Sequence, residues 1–167
     1  MNPEVPAEGQ TIEDYLAGRD VDIPVMREKM RKVAADQGLP FGDMRRVYNS
    51  RLAQELGKWA EARGRGEAFH HLAFRAYFAD GRNFARTDVL VDLAKAAGLP
   101  PEEAEAVIAE RRFAAAVDRD WQAARELNIV VVPTFLANGN RLVGVHSYQK
   151  LRRLVIGKTP DSGDVIP

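Results

Sequence analysis

Apolar and polar positions along this chain recur with a helical period almost throughout, and with a period of two only near the C-terminal end. A T-x-x-D start signal at Thr11 to Asp14 opens a short helix that Gly18 ends. From Asp22, with Pro24 in the first turn, Met26, Met30, Val33 and Ala34 keep helical spacing as far as Gly38. After a loop at Leu39 to Gly42, Asn49 or Ser50 caps a helix with Leu52, Leu56, Trp59 and Ala60 on one face, and Gly64 stops it. Glu67 to Asp80 carries apolar side chains, Phe69, Phe74, Tyr77 and Phe78 among them, round more than half its circumference. That predicts a helix at the centre of the helical part. Thr87 caps a helix with Leu90, Leu93, Ala94 and Ala97 inward, and Pro100-Pro101 opens another. Phe113 to Leu127 sets Val117, Trp121, Ala124 and Leu127 on one stripe, with Asn128 as a left-handed stop. Ser147 caps a last helix with Tyr148, Leu151, Leu154 and Val155 inward.

The period changes between Val130 and Val145. Val130, Val131 and Val132 are β-branched residues suited to a pleated, buried surface, and Pro133 then removes an N–H that a central ladder needs. Either the run is an edge strand, or the Val132-Pro133 bond is cis and turns the backbone before the strand resumes. Thr134 to Ala137 continue extended, Asn138-Gly139 supplies the positive φ values of a two-residue type I′ turn, and Arg141 to Val145 returns antiparallel.

The pattern therefore predicts seven or eight helices and two strands, a mostly α protein with a small β-hairpin. Residues 1–10 read as an extended leading segment, 11–128 as a helical domain, 129–157 as a hairpin with its helix, and 158–167 as a flexible tail. A two-stranded hairpin is marginal alone, and no other segment offers a credible strand. Its partner is missing, comes from a second copy of the chain, or is replaced by helices.

Composition narrows the function. The 167 residues are 46% hydrophobic, enough for one sizeable core. Lys and Arg total 24 against 24 Asp and Glu, so no overall field draws nucleic acid or an anionic membrane surface. No apolar run approaches the ~20 residues of a membrane span, and the N-terminus lacks the basic flank and apolar stretch of a leader. A cytoplasmic protein without nucleic-acid or membrane partners is expected. The cysteine count is zero, which removes disulfides, thiolate nucleophiles and thiolate metal sites from these residues.

Other candidate chemistry is sparse. His70 and His71 are neighbours, so on a helix they point about 100° apart and cannot share a metal without a distant third ligand. No metal site is expected. His146 lies just past the hairpin and within reach of the Pro133 loop, yet a lone histidine reads as structural. Ser50 has no visible base partner and reads as a cap, and Trp59 and Trp121 fall at core spacing. The glycines between Arg63 and Gly66 join two helices, which is not the strand-to-helix setting of a phosphate cradle. No catalytic residue is assigned.

Five stretches resemble a known family in order and spacing: NPEVPAEG, YNSRLAQELGKWAEARG, FRAYFADGRN, AVDRDWQAARELNIVVVPTF and RLVGVHSYQKLRRL. They are similar to DsbA-like thioredoxin-fold proteins, in the branch containing FrnE-type proteins and 2-hydroxychromene-2-carboxylate isomerases. The resemblance implies a thioredoxin fold split by a helical insertion, of which this chain would hold the insertion and the C-terminal half. It also implies that Pro133 is the family's cis-proline and that Val132, Pro133 and Thr134 bind substrate, the backbone of Val132 pairing with a peptide or glutathione. Glutathione is the one cofactor left open.

Family members place a strand, an active-site helix beginning with CxxC or a serine variant, and a second strand ahead of their L-N-P-E segment. Here Met1 stands at that leucine's place, so the strand-helix-strand unit is expected to be absent, and with it two strands that would pair with the hairpin. Where the family commonly reads G-A-Q-P-Y, this chain has Gly144, Val145, His146, Ser147 and Tyr148. Three readings are open: an oxidoreductase or isomerase relative that is inactive alone for want of a thiolate; a non-catalytic module that pairs its hairpin edge with another chain, a second copy included; and a glutathione-dependent isomerase or transferase.

Overall fold

The computed structural model describes residues 5–157, so the predicted tail at 158–167 lies outside the described residues. The chain divides into two compact units between Val117 and Asp118. The elements of the first are β1 (Gln10–Thr11), α1 (Ile12–Tyr15), α2 (Ile23–Asp36), β2 (Arg46–Val47), α3 (Arg51–Ala62), α4 (Gly66–Phe78), α5 (Thr87–Ala96) and α6 (Pro101–Ala109). Helix α7 (Ala114–Glu126) spans the division, and the second unit continues with β3 (Thr134–Ala137), β4 (Asn140–Val143) and α8 (Tyr148–Val155).

Helix starts obey local chemistry. Thr11 Oγ1 accepts from the Asp14 N–H at α1, Asp22 Oδ1 from the Val25 N–H at α2, and Ser147 Oγ from the Lys150 N–H at α8. At α3 the two candidate caps divide the work: Ser50 holds the cap position without a side-chain bond to the helix N–H groups, and Asn49 Oδ1 accepts from the Arg51 N–H. Thr87 is the first residue of α5 rather than its cap, which is Arg86.

The core of the first unit is the interface of α3, α4, α5 and α6. Leu56, Trp59 and Ala60 of α3 meet Phe69 and Ala76 of α4, Leu90, Leu93 and Ala94 of α5, and Ala104, Val107 and Ile108 of α6. Burying each of Phe69, Leu56 and Leu90 contributes about 1.5–3 kcal/mol. Glu55 joins them as a 2% exposed carboxylate. Arg111, at positive φ after α6, donates to both of its oxygens at 2.6 and 2.7 Å, and Arg51 Nε donates at 2.5 Å.

Several expectations need correction. A second ladder exists: β1 pairs antiparallel with β2, Gln10 opposite Val47 and Thr11 opposite Arg46. Two-residue strands carry no readable alternation, and this one is held by Arg46, whose guanidinium donates to the Glu8 and Gly9 carbonyls. Helix α2 has no buried residue, so its apolar spacing does not mark an inward face. It is tied down by Arg27, which donates to the Met44 carbonyl and the Glu13 carboxylate. Helix α4 is not sheathed on all its apolar sides, since Phe74 is 64% exposed. Leu127, just past α7, and Tyr148 and Val155 of α8 face solvent, the buried side of α8 being Lys150 and Leu154.

In the second unit β3 and β4 form a two-stranded antiparallel sheet, Thr134 opposite Val143 and Ala137 opposite Asn140. Asn138 and Gly139 both take positive φ, 50° and 73°, as a type I′ turn requires. Helix α8 packs on the hairpin. Asn138 Nδ2 donates to the Leu154 and Val155 carbonyls at the end of α8. Arg141 donates to the Leu127 and Asn128 carbonyls, closing the C-terminus of α7, where Asn128 adopts φ 51°.

Candidate functional site

The residues singled out in the sequence, Val132, Pro133 and Thr134, lead into β3. The Val132–Pro133 peptide bond is cis. Val130, Val131 and Val132 are not buried as their β-branched run predicts: Val130 is 93% and Val132 81% exposed, because no described strand lies beside them. Thr134 Oγ1 donates to the Val131 carbonyl at 2.5 Å and folds the loop on itself.

Register decides what this segment offers. Across a two-residue turn Ala137 and Asn140 form the hydrogen-bonded pair, so Phe135 and Leu142 form the next, and Gly144 N–H donating to Pro133 O at 2.8 Å continues the series. The N–H and C=O groups of Thr134 and Leu136 must then point away from β4. They line an edge that no strand covers among the described residues. Ahead of them, no hydrogen bond engages the backbone of Val132 among the described residues. Such an edge is a template for one more strand.

His146 is drawn to the same hairpin. Its Nε2 lies 3.0 Å from the Val143 carbonyl, which can only accept, so Nε2 carries a proton and donates. Nδ1 is buried without a partner among the described residues. Among the described residues no carboxylate or hydroxyl pairs with it for proton transfer. His70 and His71 are both solvent-facing on α4, and no described group of acidic or histidine residues could hold a metal ion.

A second concave feature was not legible as a site. Between α3, α4 and the segment before α3 lies an open cleft of about 410 Å³. Ala53 and Ala73 keep its floor low, and Tyr48, Phe74, Tyr77 and Phe84 wall it. The rings meet edge to face: Tyr77 lies 4.7 Å from both Phe78 and Phe84, and Tyr48 is 6.2 Å from Tyr77. Burial pushes the Tyr77 phenol up, and its hydroxyl lies 3.4 Å from the Arg46 carbonyl. At the far end His70 lies over Gly57, where a Cβ would come within 2.9 Å of Nε2. The signal was present in α4, which has more aromatic surface than a one-sided helix can bury.

The DSBA-like thioredoxin domain description matches this chain over residues 2–155. The chain belongs to that family. A solved structure of a probable DsbA oxidoreductase from Streptomyces coelicolor is 26% identical, superposes with a TM-score of 0.84, and is matched over 95% of this chain and 74% of its own. No curated protein matches. The fold is thus a DsbA-like thioredoxin fold in which helices dominate and strands appear as two small antiparallel pairs. Family members include oxidoreductases by name, whereas these 167 residues hold no cysteine from which a thiolate could form.

Proposed function

We propose that this chain acts as a non-catalytic binding member of the DsbA-like family, taking up an extended peptide along the outer edge of β3 from Val132 to Leu136. The observation that carries the reading is the outward row of N–H and C=O groups on Thr134 and Leu136, with the unengaged backbone of Val132 ahead of it. Main-chain pairing would supply affinity there, and the exposed Val130, Val132 and Leu136 side chains would favour apolar residues in the peptide. Thiol–disulfide exchange is not part of this role, because no sulfur nucleophile is present in these residues.

The test is amide hydrogen exchange on the full chain with an acetylated eight-residue peptide of alternating valine and threonine. Slowed exchange at Thr134 and Leu136, with Phe135 unchanged, supports the reading. Uniform exchange along β3 at saturating peptide ends it. Glutathione in place of the peptide, protecting Val132 and Thr134 only, would identify a thiol-tripeptide site instead, and concentration-dependent protection without any addition would identify a second copy.

The match to a probable DsbA oxidoreductase favours one further reading, a redox role in which the thiols come from outside these 167 residues. Catalysed reduction of insulin by this chain only when a cysteine-bearing thioredoxin fragment is added would support it.

A further inference from the structure

We propose that the aromatic cleft of the first unit is a binding site for an uncharged, planar aromatic molecule. Its volume of about 410 Å³ falls within the range of small-molecule sites, which are mostly apolar with a few placed polar groups. The walls are ring faces and edges: Tyr48, Tyr77, Phe78 and Phe84 are already arranged edge to face, and Phe74 lies tilted at 33° against Phe78. A flat ring entering between them continues that pattern, presenting its edge to one wall and its face to another.

Charge selects against ionic ligands. Among the described residues no lysine, arginine or carboxylate lines the cleft, and burial pushes the Tyr77 phenol up. An ion placed there would lose hydration with nothing to replace it. The polar side chains that line it are Ser50, whose hydroxyl accepts from Gln54 Nε2 at 2.8 Å, Gln54 itself, and His70, whose Nε2 lies 3.8 Å from Glu61 Oε1. They suit a ligand with a single hydroxyl or carbonyl. Phe74 at the rim stays in water until something covers it.

The probe is N-phenyl-1-naphthylamine, a neutral aromatic whose fluorescence rises in apolar surroundings, titrated into the full chain. One-to-one saturable binding is expected, displaced by naphthalene, with anilinonaphthalene sulfonate at least tenfold weaker. Ala73→Trp raises the cleft floor and should weaken the neutral probe at least tenfold with the melting temperature preserved. Ala53→Leu does the same from the α3 side of the floor, and decides the matter should the first variant fail to fold. Probe binding unchanged by either substitution overturns the proposal. So does displacement by 1-decanol as effective as by naphthalene, which would mean any apolar chain fits, or sedimentation showing that a second copy of the chain excludes the probe.

Discussion

Glu55 and Arg111, 56 residues apart in sequence, make two parallel hydrogen bonds of 2.7 and 2.6 Å. With Arg51 on the same carboxylate, they lock α3 to the turn after α6 around a buried negative charge. Burial alone would raise the Glu55 pKa, but the Arg111 and Arg51 guanidiniums outweigh it and hold it below the ordinary carboxylate value. A depressed folded-state pKa stabilises the fold above the unfolded pKa of about 4.3 and loses that contribution as pH falls through the folded value. Glu55→Gln should therefore cost about 1.5–3 kcal/mol at pH 7. Urea midpoints of the two proteins should converge as pH falls below about 4; a gap that stays constant down to pH 3 refutes the assignment.

The open edge of β3 gives a pair of substitutions with opposite outcomes. The Leu136 N–H points outward, so Leu136→Pro removes no bond within the hairpin and should leave the fold intact while reducing peptide affinity at least tenfold. The Phe135 N–H points to Leu142, so Phe135→Pro should cost about 3 kcal/mol or more and release the hairpin. Calorimetric titration alongside thermal melts separates the two.

Asn138 has two duties, the left-handed turn position and two donations to the last carbonyls of α8. Asn138→Ala should lose about 1–3 kcal/mol, from the positive φ and the missing donors together. Asn138→Gly keeps the turn and loses only the donors. Faster amide exchange near the end of α8 in both variants, with the greater loss of stability in the alanine variant, is the expected result.

Gly42 runs so close to the end of α4 that an added Cβ would sit 2.2 Å from the Ala79 carbonyl oxygen, and its N–H donates to Phe78 O at 2.8 Å. Gly42→Ala should destabilise by about 1–3 kcal/mol through this clash. It should also disturb Phe41 and Phe78, whose rings stack 6.2 Å apart. A variant with an unchanged melting temperature would show that the contact is loose.

The helices were readable because their signals are local. Caps at Thr11, Asp22 and Ser147 and the Asn138-Gly139 turn act through bonds within a few residues, and each stands where the pattern places it. Burial was less readable, since periodicity shows that an apolar face exists and says nothing of what covers it. Met30, Val33, Phe74, Tyr148 and Val155 have the right spacing and remain exposed. The β1–β2 ladder pairs Gln10 with Val47 and Thr11 with Arg46, far apart in sequence and with no strand pattern in their side chains, so nothing local announces it. At the hairpin, sequence placed the turn and Pro133 correctly in the chain, but the direction of each backbone group came only from the register. The aromatic cleft was hidden for another reason: Phe69 and Phe74 look alike in sequence, and only packing separates the buried ring from the rim.

Helix α2 is held by its cap and by Arg27 and Arg31, which reach Glu13, Met44 O and Asp43, rather than by a buried residue. Opening it exposes little new apolar surface, since Ile23, Met26 and Ala34 are only half-buried, so urea should accelerate its amide exchange weakly, whereas α3 and α5 should exchange only through a strongly urea-dependent event. This fourteen-residue stretch would then report local breathing under conditions in which the rest of the molecule stays silent.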